Sequence, residues 1–176
     1  EKYILFVGTL SERKNCLRML EAFSLLDDES LHFIFAGGKV HNYPFYEKIK
    51  SLKLEKRVQY FNYVTDADLS TLYFNAEAFI FPTLYEGFGI PLLEAASIGL
   101  PVLTSNRGAA PEVLGDLGIY ADPFSVDEIQ DGMEKVLNLK EDSEFRSQLI
   151  SHACTFSWKK TAQETFEIYK KVIGSI

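Results

Sequence analysis

Short apolar runs alternate along this chain with stretches in which apolar residues recur every three or four positions. The runs Tyr3–Val7 and His32–Ala36 are apolar at nearly every position, which is typical of strands buried on both faces of a parallel sheet. Between them, Leu17, Leu20 and Phe23 follow helical spacing and indicate a helix with one buried face. Four more runs of the strand type are predicted at 58–61, 78–82, 101–104 and 118–121.

The order of these elements predicts the fold class. Apolar strands alternate with amphipathic helices about six times, which indicates an α/β fold: a doubly wound, Rossmann-like parallel sheet of six strands with helices on both faces. The common strand order of such sheets is 3-2-1-4-5-6. Predicted strands stop after Pro123, and a helical C-terminal tail follows. We expect residues 1–176 to form a single domain and, because the sequence opens without methionine, to be part of a longer protein.

The stretch from Glu86 to Glu94 joins the fourth predicted strand to a helix. Its glycine-rich turn lies between two carboxylates, and Pro91 suits the first helical position, where a missing N–H costs nothing. The free N–H groups at the start of this helix would form an anion site. Glu94 would lie about one turn into the helix, near the mouth of that site.

Two unusual loops are predicted to converge. In a doubly wound sheet, ligands bind beyond the carboxyl ends of the strands where the strand order reverses, here between strands one and four. The loop after strand one holds Thr9, Arg13 and Lys14, and the loop after strand four holds residues 86–89. Two cations and unobstructed glycine amides suit a diphosphate, whereas the carboxylates suit the hydroxyl donors of a sugar or ribose. The combination predicts a nucleotide-sugar site in which the cations stabilise the departing diphosphate.

Composition narrows the classes of function. The net charge of −7 disfavours a general nucleic-acid binder, and no apolar run approaches the roughly 20 residues of a membrane span. No signal peptide is recognisable, and we expect a cytoplasmic domain. Cys16 and Cys154 lack CxxC spacing, so we expect two buried thiols in a reducing compartment.

Four blocks, in order, resemble the retaining glycosyltransferases of family 4, which have the GT-B fold. The first is the loop 7–15, V-G-T-L-S-E-R-K-N, and the second is the E-x7-E stretch 86–94, with the interior G-F-G-I-P-L-L. The third is the predicted strand region 100–106, and the fourth is the segment 156–158 with the helix that follows it. A bare E-x7-E is weak evidence, but the four blocks together are specific and cover essentially the whole chain.

The resemblance implies a role for each matching position. Glu86 would contact hydroxyls of the donor sugar, Glu94 would hold the ribose hydroxyls, and the main chain near Val64 would meet the base. Lys14 with Arg13 would bind the diphosphate and stabilise it as the leaving group, so the catalytic residues would be Glu86, Lys14 and Arg13. The other donor-binding residues would be Gly8, Thr9, Gly87, Phe88, Gly89 and Ile90.

Two positions depart from the family pattern. Thr9 stands where many members have arginine, and Asn62 stands where many have glycine after the third strand. Arg13 is expected to substitute for the missing arginine.

The resemblance also implies partners that lie outside this sequence. GT-B enzymes have an N-terminal domain that binds the acceptor, a glycan or lipid, and nothing in these residues resembles it. We expect a donor domain that binds a UDP-, GDP- or ADP-sugar for hexosyl transfer, needs no metal or other cofactor, and transfers little sugar alone. The full-length protein could associate peripherally with the inner face of a membrane. The alternatives are a non-catalytic nucleotide-sugar-binding scaffold and a nucleotide-sugar epimerase of the same fold.

The remaining motifs have structural interpretations. Residues 66–68, D-A-D, match the D-x-D that chelates metal in the other glycosyltransferase fold, but they stand at a helix start, where aspartate caps free N–H groups. The three histidines have no metal-ligand spacing and suit surface or packing roles, and Tyr43, Phe45 and Tyr46 are expected to cover the core rather than face another domain. The last helix is amphipathic, and part of its apolar face is expected to be exposed.

Overall fold

A six-stranded sheet with the order β3-β2-β1-β4-β5-β6 runs through the computed structural model, which describes residues 1–174. The predicted fold class and strand order are therefore confirmed. The strands are β1 Tyr3–Val7, β2 His32–Ala36, β3 Val58–Phe61, β4 Ala78–Phe81, β5 Val102–Ser105 and β6 Ile119–Ala121. Every pairing is parallel, so the carboxyl ends of all six strands meet at one edge, which we call the carboxyl edge.

Helices cover both faces of the sheet. They are α1 Cys16–Ser24, α2 Phe45–Ser51, α3 Asp66–Asn75, α4 Ile90–Ser97, α5 Ala110–Leu114, α6 Val126–Leu137, α7 Ser143–Ala153 and α8 Trp158–Ile173. A short 3₁₀ helix, Gly115–Leu117, precedes β6. Helix α1 packs against α2 and α6, and α4 packs against α5 and α7.

Aromatic rings form the centre of the core. Phe6, Phe33, Phe35, Phe79 and Phe81 are fully buried on three adjacent strands. The ring centroids of Phe33 and Phe35 lie 4.2 Å apart, and those of Phe79 and Phe81 lie 5.4 Å apart. Such large apolar groups bury much surface per residue, which makes β1 and β4 a rigid base for the loops that follow them.

Two predictions at helix starts need correction. Helix α4 begins at Ile90, so Pro91 is its second residue rather than its first, and Gly89 precedes the helix with a φ of 89°. Helix α3 is capped by Thr65 rather than by an aspartate. The Thr65 hydroxyl accepts a hydrogen bond from the Asp68 N–H at 3.2 Å and donates one to the Asp68 carboxylate at 2.7 Å. These two bonds hold the Asp68 carboxylate at the helix start, which gives Asp68 a structural role.

The last helix is exposed along its length, as predicted for part of its apolar face. Trp158 is 77% exposed and Ile173 is 72% exposed, and no residue of α8 is buried. None of the helices between residues 1 and 174 combines the length and the apolar character that a membrane crossing requires.

The cysteines differ from the prediction, and the aromatic cluster follows it only in part. Cys16 is buried, but Cys154 is exposed because it lies at the C-terminal end of α7, so the prediction of two buried thiols is wrong for Cys154. Phe45 is fully buried in the core, whereas Tyr46 is about half exposed beside it. His152 has a packing role, since its Nε2 lies 2.8 Å from the Val113 carbonyl oxygen.

Candidate functional site

The loops that follow β1 and β4 meet at the carboxyl edge. The Leu84 N–H donates to the Arg13 carbonyl oxygen at 2.9 Å, and the Arg13 guanidinium donates to the Tyr85 carbonyl oxygen at 2.9 Å. These bonds join residues more than 70 positions apart because β1 and β4 are neighbours in the sheet although they are distant in the chain. The predicted convergence of the two loops is present in the structure.

One carboxylate oxygen lies at the centre of this meeting point. Oε1 of Glu86 is 2.7 Å from the Lys14 ammonium and 2.9 Å from the Arg13 guanidinium. Lys14 and Glu86 are largely shielded from water, with side chains 11% and 12% exposed, whereas the Arg13 side chain is 53% exposed. The Lys14 pair is therefore less screened by solvent, and Arg13 forms the outer rim of the site.

The ring of Phe81 lies beside the Lys14 ammonium. Lys14 Nζ lies 4.5 Å from the centroid of this ring, within the range of a cation–π contact. Phe81 is the last residue of β4, so Lys14 contacts the strand itself as well as Glu86 in the loop that follows it. This contact could not be predicted from the sequence, because Phe81 has the ordinary pattern of a buried strand residue.

The second carboxylate of the E-x7-E stretch is also oriented by a neighbour. Glu94 lies on α4, and its Oε2 accepts a hydrogen bond of 2.8 Å from the Tyr73 hydroxyl of α3. Burial, followed by the negative charge of Glu94, raises the pKa of Tyr73 above its usual value, so this hydroxyl remains a donor. The bond to Oε2 leaves Oε1 of Glu94 available for another donor.

The other predicted site residues lie around these two carboxylates. Gly8 lies close to Lys14, because a Cβ built on Gly8 would be 3.5 Å from Cε of that lysine. Phe88 and Ile90 are partly exposed at the start of α4, and the Phe88 ring meets the Phe156 ring edge to face at 6.2 Å. Thr9 is exposed in the loop after β1, and Val64, which could offer only its main chain to a ligand, is half buried in the loop after β3.

The comparison with protein families decides the assignment. Residues 1–154 match the family model for glycosyl transferases group 1. The chain belongs to this family. The matched range includes both carboxylates, the basic pair and all six strands, so the family resemblance read from the sequence is confirmed.

Curated relatives of this group 1 domain include bacterial mannosyltransferases. O-antigen chain mannosyltransferase B of Escherichia coli is 36% identical over 176 residues, a match that covers 96% of this chain and 45% of the relative. Serotype-specific mannosyltransferase WbdA of Escherichia coli is 32% identical, with 99% of this chain and 22% of the relative covered. The chain therefore spans less than half the length of these relatives.

Solved structures share the fold. Sucrose-phosphate synthase of Thermosynechococcus elongatus superposes with a TM-score of 0.87 over 100% of this chain and 46% of that one, at 18% identity. Anabaena Alr3699/HepE, solved in complex with UDP and glucose, gives a TM-score of 0.80 over 96% of this chain and 48% of that one, at 20% identity. At these identities the likeness establishes the GT-B-type architecture alone.

A glycine that the sequence analysis left unassigned supports the backbone of Glu86. Gly108, after β5, has a φ of +62°, and a Cβ built on it would lie 2.8 Å from the Glu86 carbonyl oxygen. The next residue, Ala109, donates its N–H to that oxygen at 3.3 Å. A glycine directly after a strand that ends near the site was the available signal, because such loops line the carboxyl edge.

The acidic residues of the site do not form a metal cluster. Within residues 1–174, no group of three or more His, Cys, Asp or Glu side chains is arranged to hold a metal ion. The charge at the centre of the site comes instead from one lysine, one arginine and one glutamate. This set can neutralise an anion and accept hydrogen bonds from hydroxyls.

Proposed function

We propose that this chain is the donor-binding part of a retaining glycosyltransferase and binds a nucleotide-diphosphate sugar between the loops after β1 and β4. The observation that carries the proposal is the convergence of Lys14 and Arg13 on one oxygen of Glu86 where the strand order reverses. The mannosyltransferase relatives and the UDP and glucose bound by HepE support a hexosyl donor.

The basic pair would act on the diphosphate. Phosphate oxygens would replace Oε1 of Glu86 as the acceptors for Lys14 and Arg13, and these charge-assisted bonds would strengthen as negative charge develops on the departing diphosphate. Because Lys14 is shielded from water, its charge would be weakly screened. We therefore expect sugar transfer by the complete protein to proceed without a metal or other cofactor, and we expect a chelator to leave its activity unchanged.

The carboxylates and the start of α4 would act on the rest of the donor. Glu86, once released from the basic pair, would accept hydrogen bonds from the donor sugar. Oε1 of Glu94 would accept a ribose hydroxyl, since Oε2 is already bonded to Tyr73. The N–H groups of 87–89 would face the sugar and the distal phosphate, with Ile90 beside the ribose or phosphate, and the main chain near Val64 would meet the base.

Titration calorimetry of the chain with UDP, GDP and ADP tests the donor site. We expect at least one of them to bind and its affinity to fall about tenfold or more in both site variants, because Lys14→Met removes a charged donor and Glu94→Gln replaces one of two charged acceptor oxygens by an NH2 group. Lys56→Met and Glu55→Gln are matched controls, since both residues are exposed at the opposite edge of the sheet. Failure of all three nucleotides to bind at millimolar concentration would favour the scaffold alternative, and unchanged affinity in both site variants would refute the assignment.

The complete reaction needs more than this chain. We propose that a preceding domain of the same polypeptide binds the acceptor, a glycan or lipid, across the cleft, and that the complete protein works in the cytoplasm, where it could associate with the inner face of a membrane. This chain matches only 45% of O-antigen chain mannosyltransferase B, which supports the proposal of a further domain. A transfer assay with GDP-mannose and UDP-glucose should give little product from the isolated chain, and robust transfer by it would contradict the proposal.

A further inference from the structure

Asn15 uses its side chain in an unusual way. It directly precedes α1, has the left-handed backbone conformation with a φ of 64° and a ψ of 24°, and is only 2% exposed. Asparagine at this position ordinarily accepts a hydrogen bond from an N–H in the first turn of the helix. The Asn15 side chain makes no such bond, so it does not cap helix α1.

The side chain instead joins three loops of the carboxyl edge. Its amide donates to the Pro82 carbonyl oxygen at 2.9 Å and to the Pro123 carbonyl oxygen at 2.7 Å, and its oxygen accepts from the Arg18 guanidinium at 2.9 Å. Pro82 follows β4, and Pro123 lies just after β6. Both amide donors are used, and the two bonded carbonyl groups belong to buried residues.

These bonds anchor the backbone on one side of Lys14. On the other side, the Arg13 carbonyl oxygen accepts from the Leu84 N–H at 2.9 Å. Lys14 is therefore held between two tethers to the segment 82–84, which leads directly to Glu86. The partners of the lysine ammonium, the Glu86 carboxylate and the Phe81 ring, lie on either side of that segment.

We propose that Asn15 is a positioning residue that holds Lys14 where it meets the donor diphosphate. The inference rests on the proposed function for the role of Lys14, but the tether itself is a property of the chain. Without the Asn15 amide, the turn that carries Lys14 loses its bonds to the Pro82 and Pro123 carbonyl oxygens and keeps the Arg13–Leu84 bond, so the ammonium is held less closely to one point. Fixed donors bind a diphosphate better than mobile ones, because less ordering is needed on binding.

The variant Asn15→Gly removes the tether and keeps a residue that tolerates positive φ. Asn42→Gly is the matched control, because Asn42 also has a positive φ, 58°, but is exposed in the loop after β2. In calorimetry with UDP, GDP and ADP, we expect Asn15→Gly to lower the affinity for whichever nucleotide binds by about tenfold, the loss typical of a misplaced charged hydrogen-bond donor. Asn42→Gly should bind like the native chain.

A double-mutant cycle separates positioning from general loosening. If Asn15 acts through Lys14, Asn15→Gly should cause no further loss of affinity in the Lys14→Met background, because coupled residues are not additive. The same fold-loss in both backgrounds, or no loss in the native background, would overturn the inference. Circular dichroism checks folding, and Asn15→Asp, which has the same size but cannot donate, is the second variant if Asn15→Gly does not fold.

A measurement without nucleotide keeps this inference separate from the proposed function. Acylation of lysines by acetic anhydride, followed by mass spectrometry, should be slow at Lys14 in the native chain, where the side chain is 11% exposed, and several-fold faster in Asn15→Gly. Unchanged acylation of Lys14 would refute the tether even if nucleotides bind. If Lys14 is acylated faster in Asn15→Gly but the native chain binds no nucleotide, the tether exists but the donor site does not. That result would refute the proposed role of Asn15 in diphosphate binding.

Discussion

Gly108 lets the loop after β5 approach the backbone of Glu86, and replacing it by alanine should disturb the site without removing any functional group. Its φ is +62°, and a Cβ at this position would lie 2.8 Å from the Glu86 carbonyl oxygen and 3.3 Å from the Glu86 nitrogen. Neither backbone atom can rotate aside as the end of a side chain can. The variant Gly108→Ala must therefore separate the two loops or shift Glu86.

The expected loss of stability has two parts. An L-residue in the left-handed region costs about 1–2 kcal/mol, and forcing an extra methyl group against packed atoms costs about 1–3 kcal/mol more. Gly115→Ala is a control for backbone strain without a steric contact, because Gly115 has a φ of +54° and a ψ of −136°, which L-residues rarely adopt, and no atom lies within 4 Å of a Cβ built on it. For Gly108→Ala we expect a loss of about 2–5 kcal/mol in the free energy of unfolding, the sum of the two ranges.

Urea denaturation measures the stability difference, and nucleotide titration measures its effect on the site. Because Glu86 would move relative to Lys14, Gly108→Ala should also weaken nucleotide binding, whereas Gly115→Ala should bind like the native chain. A loss of less than about 2 kcal/mol in Gly108→Ala would refute the steric reasoning. Native affinity in Gly108→Ala would show that the placement of the Glu86 backbone is unimportant for binding.

Three further predictions concern single side chains. Tyr73→Phe should lower the free energy of unfolding by about 1 kcal/mol. It should also weaken the binding of UDP, GDP or ADP more than the binding of inorganic pyrophosphate, because only the nucleotides carry the ribose that Glu94 would hold; equal losses of affinity in calorimetry would contradict this role. Burial raises the pKa of the Cys16 thiol from 9.0 to about 12, so on raising the pH the unfolded chain loses this proton before the folded chain does. The contribution of Cys16 to the free energy of unfolding should therefore fall by about 1.4 kcal/mol per pH unit between about pH 9 and 12. Urea titrations across that range should show a shallower fall for Cys16→Ala, and an identical slope would count against the shift. Trp158, the only tryptophan, should show water-exposed fluorescence that acrylamide quenches readily in the isolated chain, and a blue-shifted, protected emission would contradict the exposed α8.

The fold could be predicted from the sequence because its signals are local. Runs such as Tyr3–Val7 and Ala78–Phe81 are apolar on both faces, and only a sheet covered on both sides buries them. The topology rule for such sheets then brought Lys14 and Glu86 together, although 71 residues separate them in the chain. The predicted neighbours are 2.7 Å apart in the structure.

The supporting contacts could not be predicted, because they depend on three-dimensional packing of residues with no distinctive local pattern. Tyr73 has the spacing of an ordinary core residue of α3, and only the packing of α3 beside α4 directs its hydroxyl to Glu94. Asn15 has the sequence of a helix cap, but its amide reaches carbonyl groups 67 and 108 residues away. The exposure of Cys154 depends on where α7 ends, and helix ends are poorly determined by apolar periodicity.

The pairing of Glu86 with the basic residues has a consequence for the order of events in a reaction cycle. Because the Glu86 carboxylate pairs with both cations, it would compete with any anion that approaches them. A free phosphate could displace it but would leave Glu86 without a partner, whereas the proposed donor would offer phosphate oxygens to the cations and sugar hydroxyls to the carboxylate at the same time. After transfer the sugar hydroxyls would be gone, and the return of Glu86 to Lys14 would help to expel the nucleoside diphosphate. The same carboxylate would thus select the complete donor and speed the release of the spent one.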